Sequence, residues 1–124
     1  MFAEPLPEQC PPENAAKLSE STEFFRVASS NPVSIEDFRS VKWLNPNRQV
    51  DDNCIASGLS IFQRESDTER ILKLPSFKNG RVVKIVLGPT SGLILATPRN
   101  AACSHFTWWP FKEFDILSSC EERN

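Results

Sequence analysis

The segment from Ser104 to Pro110 carries the residue types best suited to ligand chemistry. It holds His105, the only histidine of the chain, with a hydroxyl at Thr107 and an indole at Trp109. In an extended strand these three alternate residues share one face. An imidazole beside a hydroxyl can hydrogen-bond a ribose or a carbonyl while an aromatic ring stacks on a base. The alternative is that the aromatic residues fill the core and His105 bonds a backbone carbonyl.

Two further polar residues stand among apolar neighbours in segments typical of strands. Arg26 shares a strand face with Phe24 and Ala28, and Ser60 interrupts a second apolar segment. An arginine in that setting either extends its head to solvent at an edge or enters a pocket to meet an anion. We therefore predict a ligand-binding pocket formed by five residues: Arg26, Ser60, His105, Thr107 and Trp109.

Familiar catalytic and metal-binding signatures are missing. The sequence contains no GxGxxG, GxxxxGK[ST], HExxH or GxSxG motif, so it predicts no catalytic residue and favours a protein without enzymatic activity. Its cysteines form no CxxC pair and have one histidine to join them at a metal. We expect no metal and no cofactor, and reduced, mostly buried thiols at the four cysteine positions: Cys10, Cys54, Cys103 and Cys120.

The composition of the 124 residues is that of an ordinary globular domain, with a net charge of -2. Residues 1–23 carry five glutamates against one lysine, whereas residues 24–118 carry twelve basic residues against nine acidic ones. This mildly basic body is compatible with a phosphate or nucleotide, but it lacks the basic stripe of a nucleic-acid binder. We expect no nucleic-acid partner.

Hydropathy predicts no association with a membrane. No apolar run is long enough to cross a bilayer, and the N-terminus has neither a basic region nor an apolar region typical of a secretory signal. The sequence therefore predicts a cytoplasmic protein.

The elements that must position the candidate residues are short. Residues 1–22 form a Pro/Glu-rich arm that we predict to be flexible, with about two helical turns over residues 13–18 that would have to dock on the body. In the body, residues 23–124, the pattern predicts two helices with capping boxes (Ser34 with Asp37, Ser66 with Glu69) and five strands: 23–28, 58–62, 81–87, 93–97 and 105–109. A closing apolar segment, 114–117, follows. We expect a hairpin between the third and fourth strands.

These elements predict the α+β class. The pattern contains no repeat and no regular βαβ alternation, so it favours a single small domain with a mixed, mostly antiparallel sheet of five or six strands, flanked by short helices.

Several short motifs occur in an order that resembles a known group of proteins. They are Phe25–Pro32 (FRVASSNP), Asp37-Phe38, Gly58–Phe62 (GLSIF) and His105–Trp108 (HFTW). The order is similar to that of small bacterial proteins with RV-SSNP, GLSVY and HYT-W motifs, mostly hypothetical proteins and often encoded on mobile or accessory DNA. The resemblance covers residues 24–117 and implies a bacterial accessory protein without naming an activity.

The order of an arginine on the first strand and a serine on the second is also similar to the ADP-ribosyltransferase fold. That resemblance implies that Arg26 would hold the phosphates of a nicotinamide dinucleotide and Ser60 would shape the nicotinamide pocket. The family's catalytic glutamate belongs on a late strand, where this chain has Thr107 and Trp108. Glutamates elsewhere do not fit a strand pattern: Glu113, Glu121 and Glu122.

Three functional hypotheses follow. The first is a non-catalytic binding protein whose pocket around Arg26 and His105 takes a small molecule, with nucleotides among the candidates, or a protein. The second is an enzyme that acts on NAD or a related nucleotide. The third is an interaction module whose N-terminal arm docks on a partner or on a second copy of the chain.

Overall fold

The computed structural model describes residues 1–100 and 102–123. The predicted end of the domain, Asn124, lies outside the described residues. Six strands form the body: Thr22–Ala28 (β1), Leu59–Phe62 (β2), Arg81–Leu87 (β3), Gly92–Ala96 (β4), His105–Pro110 (β5) and Cys120–Arg123 (β6). They make one sheet in the order β4-β5-β2-β1-β3-β6, and every neighbouring pair is antiparallel. The predicted α+β domain is confirmed.

The helical elements are all a single turn. The α-helices are Val41–Leu44 (α1), Asn53–Ala56 (α2) and Glu69–Leu72 (α3), and the 3₁₀ turns are Ile35–Phe38, Glu65–Thr68, Pro75–Phe77 and Leu117–Ser119. No helix among the described residues is long and apolar enough to cross a membrane.

One of the two predicted capping boxes forms. The Ser34 N–H donates to Asp37 Oδ2 at 3.0 Å, at the start of the first 3₁₀ turn. The prediction for Ser66 and Glu69 was wrong, because the turn there begins at Glu65 and places Ser66 inside it. The Thr68 hydroxyl instead donates back to the Glu65 carbonyl at 2.6 Å.

The predicted hairpin of β3 and β4 was wrong. β3 lies between β1 and β6, and β4 pairs with β5 at the opposite edge of the sheet. The connecting turn, in which the Gly88 N–H donates to Ser91 Oγ at 2.8 Å, carries the chain away from β3. Gly92 has a φ of +143°, and an added Cβ would lie 2.2 Å from the Trp109 carbonyl oxygen. β4 can therefore begin against the end of β5 only because residue 92 has no side chain.

The core lies within the central strands. Val83, Ile85 and Leu87 of β3 are completely buried, as are Ile61 of β2 and Trp108 of β5. β3 alternates buried and more exposed residues, and its buried face packs with residues of β1 and β5 in one cluster. Burial of this size supplies most of the stability of a domain of this length.

The N-terminal arm lies against β4 and the end of β5. Phe2 bridges Phe111, and Ala16 bridges Ile94; Ala16 and Ile94 exchange N–H···O bonds of 2.9 and 3.0 Å. The helical turns predicted over residues 13–18 do not form, because the free edge of β4 offers the arm partners that two isolated helical turns cannot match. The flexibility of the arm stays a prediction.

A disulfide joins the arm to the body. Cys10 and Cys54 are bonded, so the expectation of reduced thiols was wrong at these two positions. The two cysteines are 44 residues apart, so no local sequence pattern predicts the bond, which forms only when the arm reaches α2. In a chain-entropy treatment, a disulfide that closes a loop of this length constrains the unfolded chain and adds about 4 kcal/mol to the free energy of unfolding. Cys103 and Cys120 are free and half-buried.

Candidate functional site

Strand β1 is paired unequally on its two sides. With β3 it forms seven residue pairs, from Thr22 opposite Leu87 to Ala28 opposite Arg81. With β2 it forms one pair, Phe25 opposite Phe62. Beyond that pair, the backbone of β1 and β2 forms no ladder in the described chain. Backbone groups along this gap therefore need other partners.

The side chain of Arg26 supplies some of those partners. Its Nη1 donates to the Ser60 carbonyl on β2 at 2.7 Å, and its Nε donates to the Asp37 carbonyl at 3.0 Å. The guanidinium carbon lies 5.6 Å from the centre of the Phe38 ring. Burial lowers the pKa of Arg26 to about 10, and the carboxylates of Asp37 and Glu4 act in the opposite direction. Arg26 is therefore a charged cross-link between two strands that pair at a single position.

A cavity of about 410 Å³ lies beside this cross-link. Arg26, Ser60 and Phe62 of the strands line it. Apolar side chains of the short helices and of the segment that follows α3 complete the lining: Val41, Leu44, Ile71, Leu74 and Phe77. Ligand pockets in proteins commonly measure roughly 300–1,000 Å³ and are mostly apolar with a few polar groups. The cavity falls within that range and has that character.

The rim of the cavity exposes apolar surface to solvent. Leu44 is 61% exposed, and Val41 and Leu74 are exposed to 42% and 45%. All three line the cavity. Clustered exposed apolar side chains beside a cavity are typical of a place where a ligand or partner completes the packing.

The charged residues of the cavity differ in how far they are already paired. The Asp37 carboxylate accepts the N–H groups of Ser29, Ser30 and Ser34 at 2.9 to 3.1 Å. These bonds hold its pKa below the ordinary value, although burial alone would raise it. The Asp37 carboxylate thus stabilises the loop from Ser29 to Ser34 and needs no ligand as a partner.

The remaining two arginines of the lining contrast with each other. Arg39 pairs with Glu36 at 3.3 Å, and its guanidinium carbon lies 4.8 Å from the centre of the Trp43 ring. Arg99 lies in the loop after β4 and is exposed. Within residues 1–100 and 102–123, Arg99 has neither a hydrogen bond nor an ion pair. Among the three arginines of the described lining, it is the one without such a partner.

His105 does not line this cavity, and its ring makes contacts within the fold. Its Nδ1 is 2.9 Å from the Thr97 carbonyl oxygen and 2.8 Å from Thr97 Oγ1. The ring meets Phe62 edge to face at 5.2 Å. Burial lowers the pKa of His105 below the ordinary value, and the charge of Arg99 acts in the same direction. The bond to a backbone carbonyl agrees with the structural alternative that the sequence left open for this histidine.

Thr107 and Trp109 are buried beside Ser60 and Gly58. Thr107 lies opposite Ser60 in the β2–β5 ladder, and Trp109 is 1% exposed with its Nε1 donating to the Cys54 carbonyl at 3.0 Å. A Cβ at Gly58 would lie 2.4 Å from Thr107 Cγ2 and 3.1 Å from the indole. Both side chains pack as core residues, so a ligand-binding role for them stays a prediction.

The five predicted site residues therefore occupy three neighbouring strands but do not surround one cavity. Arg26 and Ser60 line the larger cavity, whereas His105 lines a smaller, more open one of about 270 Å³ with Ser104 and Arg64. His105 Nε2 is buried and has no hydrogen-bond partner among the described residues. A proton on Nδ1 satisfies the Thr97 carbonyl and leaves Nε2 as an acceptor.

The sequence did not identify the apolar residues of the short helices that line the cavity. It also did not identify Arg99, the arginine of the lining without a hydrogen bond or ion pair among the described residues. Residues 41–44 lie outside both helices that the capping boxes predicted, although Val41 and Leu44 have the i, i+3 spacing of one helical face. Arg99 lies in a Pro-Arg-Asn turn, where nothing local distinguishes it from a solvated loop residue.

No protein family matches this chain, and neither a curated protein nor a solved structure matches it. Among the described residues, no group of three or more His, Cys, Asp or Glu side chains is placed to hold a metal ion.

Proposed function

We propose that this chain is a small-molecule-binding domain whose cavity takes an amphipathic anion. The observation that carries the proposal is the combination of an apolar cavity of about 410 Å³ with an unpaired arginine, Arg99, in its lining. The apolar part of the ligand would contact Leu44, Ile71 and Phe77, and its anionic group would lie near Arg99. Charge complementarity would fix the orientation, and apolar burial would supply most of the affinity.

The proposal is tested with 1-anilinonaphthalene-8-sulfonate, an aromatic monoanion that fluoresces in apolar surroundings. We expect saturable binding to the folded protein, and we expect Arg99→Gln to weaken it about tenfold, equivalent to about 1.4 kcal/mol. The matched control is Arg48→Gln, which removes the same charge from an exposed position outside the cavity lining. Equal affinity in both variants and the native protein would contradict the proposal.

A second candidate function is the nucleotide enzyme. It is supported by one observation: Arg26 and Ser60, which the ADP-ribosyltransferase resemblance assigns to one dinucleotide pocket, line the same cavity. The carboxylates of that lining are Glu36 and Asp37, and the Asp37 carboxylate already binds the neighbouring loop. Release of nicotinamide from NAD, followed over hours at high protein concentration, tests this candidate; no release would leave the binding function.

The disulfide between Cys10 and Cys54 bears on the compartment in which the proposed binding protein works. The sequence predicts the cytoplasm, but disulfides are rare there and persist in oxidising compartments. The bond between Cys10 and Cys54 therefore favours an oxidising compartment for the proposed binding protein. Titrating thiols in protein isolated without a reductant tests this. Two reactive thiols under denaturing conditions, from Cys103 and Cys120, would support it, and four would favour the cytoplasm.

A further inference from the structure

The arm places a carboxylate against the wall of the cavity. The two oxygens of Glu4 accept the Ser40 N–H at 2.9 Å and the Ser40 hydroxyl at 2.6 Å. Ser40 is 1% exposed and lines the cavity, and its Oγ in turn accepts the Trp43 N–H at 3.0 Å. Glu4 and Ser40 are 36 residues apart in the sequence. The contact is thus a long-range one between the arm and the ligand-binding body.

The arm is anchored on both sides of this carboxylate. The preceding residue, Ala3, donates its N–H to the Pro110 carbonyl at 2.9 Å. Six residues after Glu4, Cys10 is covalently bonded to Cys54. Because the arm is already fixed at Ala3 and at Cys10, holding Glu4 at Ser40 costs it little further conformational entropy. The carboxylate is therefore positioned at the cavity wall by the fold.

Glu4 changes the charge that an incoming ligand meets. Three arginines and two carboxylates line the cavity, which leaves one positive charge. The Glu4 carboxylate is close enough to act on the charge of Arg26, and with it the local charges balance. A ligand with one anionic group can pair with Arg99. A second anionic group meets Arg26 and Arg39, which already donate to two carbonyls and pair with Glu36, and it approaches the fixed Glu4 carboxylate.

From this arrangement, and resting on the proposed binding function, we infer that Glu4 is a specificity-determining residue that admits ligands with one anionic group and rejects ligands with two. Discrimination of this kind uses repulsion of the wrong ligand in addition to attraction of the right one.

The test uses three probes of equal length that displace the fluorescent monoanion: octanoate, octanedioate and the monoamide of octanedioic acid. We expect the wild-type protein to bind octanoate and the monoamide at least fivefold more tightly than octanedioate. Glu4→Gln should raise the affinity for octanedioate at least fivefold and that for octanoate less than twofold. A glutamine can still hydrogen-bond Ser40 and so retain the arm. Glu8→Gln, on an exposed part of the same arm, removes an equal charge and should change neither affinity.

The outcomes separate this inference from the function on which it rests. If the wild-type protein binds octanoate, equal effects of Glu4→Gln and Glu8→Gln on octanedioate would overturn the role of Glu4 and leave the binding function standing. If it binds neither octanoate nor the fluorescent monoanion, the binding function fails, and the inference fails with it. If Glu4→Gln does not fold, the wild-type comparison decides: equal affinities for the monoamide and octanedioate would overturn the inference.

Discussion

The two sides of strand β1 differ in how completely the strand is paired, and the proposed binding function uses that difference. Toward β3 every residue of β1 has a partner, and the facing side chains Val83 and Ile85 are completely buried. Toward β2 a single residue pair forms, and a charged side chain and a cavity occupy the rest of the boundary. The closed side buries apolar surface, and the open side leaves polar groups and space that a ligand can use.

The two roles are separated by only two positions along the strand. Phe24 is 1% exposed and belongs to the core, whereas Arg26 bonds carbonyls across the gap and lines the cavity. A gap in a sheet is tolerated when its backbone groups find other partners. Here the arginine that provides those bonds also contributes positive charge to the cavity.

The largest effect is expected on the closed side. Ile85→Ala removes a completely buried side chain between β1 and β6 and should lower the free energy of unfolding by about 3 kcal/mol. Val86→Ala, at the next position and 39% exposed, should lower it by less than about 1 kcal/mol. Urea denaturation of the two variants measures both values. Similar losses would contradict the view that this side provides the stability.

The second prediction compares one cation on each side of β1. Arg26→Met leaves the Ser60 and Asp37 carbonyls without their donor and should cost about 2 kcal/mol of unfolding free energy. Lys84→Met, on β3, removes ion pairs with Glu23 and Glu121 at 3.5 and 3.3 Å, in which both carboxylates are exposed.

Exposed pairs of this kind contribute little, so the lysine variant should lose less than about 1 kcal/mol. The same urea titrations compare the two variants, and a loss at Lys84 as large as that at Arg26 would show that the open side is not held by its arginine. Binding of the fluorescent monoanion should fall in Arg26→Met and stay unchanged in Lys84→Met.

The sequence predicted the closed side better than the open side. The β-branched run from Arg81 to Leu87 marks β3 at its observed bounds. Such patterns depend on near neighbours in the chain, which is why they can be recognised locally.

The open side depends on contacts between distant segments. Strand pairing depends on such contacts as well: the turn between β3 and β4 favoured a hairpin, but β4 pairs with β5 at the opposite edge of the sheet. The cavity brings Arg26 together with Arg99, 73 positions later, and the arm reaches the cavity wall through the bond of Glu4 to Ser40. No local periodicity encodes these contacts. Arg26 and Ser60 were identified from their residue types among apolar strand neighbours, and the other members of the lining were missed.

The smallest predicted effect concerns the single pair that joins β2 to β1. Phe62, the β2 member of that pair, also lies opposite His105 in the neighbouring ladder and packs on its ring. The fold lowers the pKa of His105, so the unfolded chain binds a proton more readily than the folded one near the ordinary value of 6.5. The unfolding free energy should therefore be highest above pH 6.5 and fall as the pH is lowered through 6.5 toward the folded-state pKa.

His105→Gln should remove this dependence, because no other histidine is present. The lowered pKa values of Asp37 and Asp67 reduce stability only when the pH falls below their ordinary value of 3.8, outside this window. Urea titrations of both proteins between pH 5.5 and 7.5 isolate the histidine. An equal slope in the two proteins, or a wild-type protein that becomes more stable as the pH falls, would show that the fold does not lower the pKa of His105.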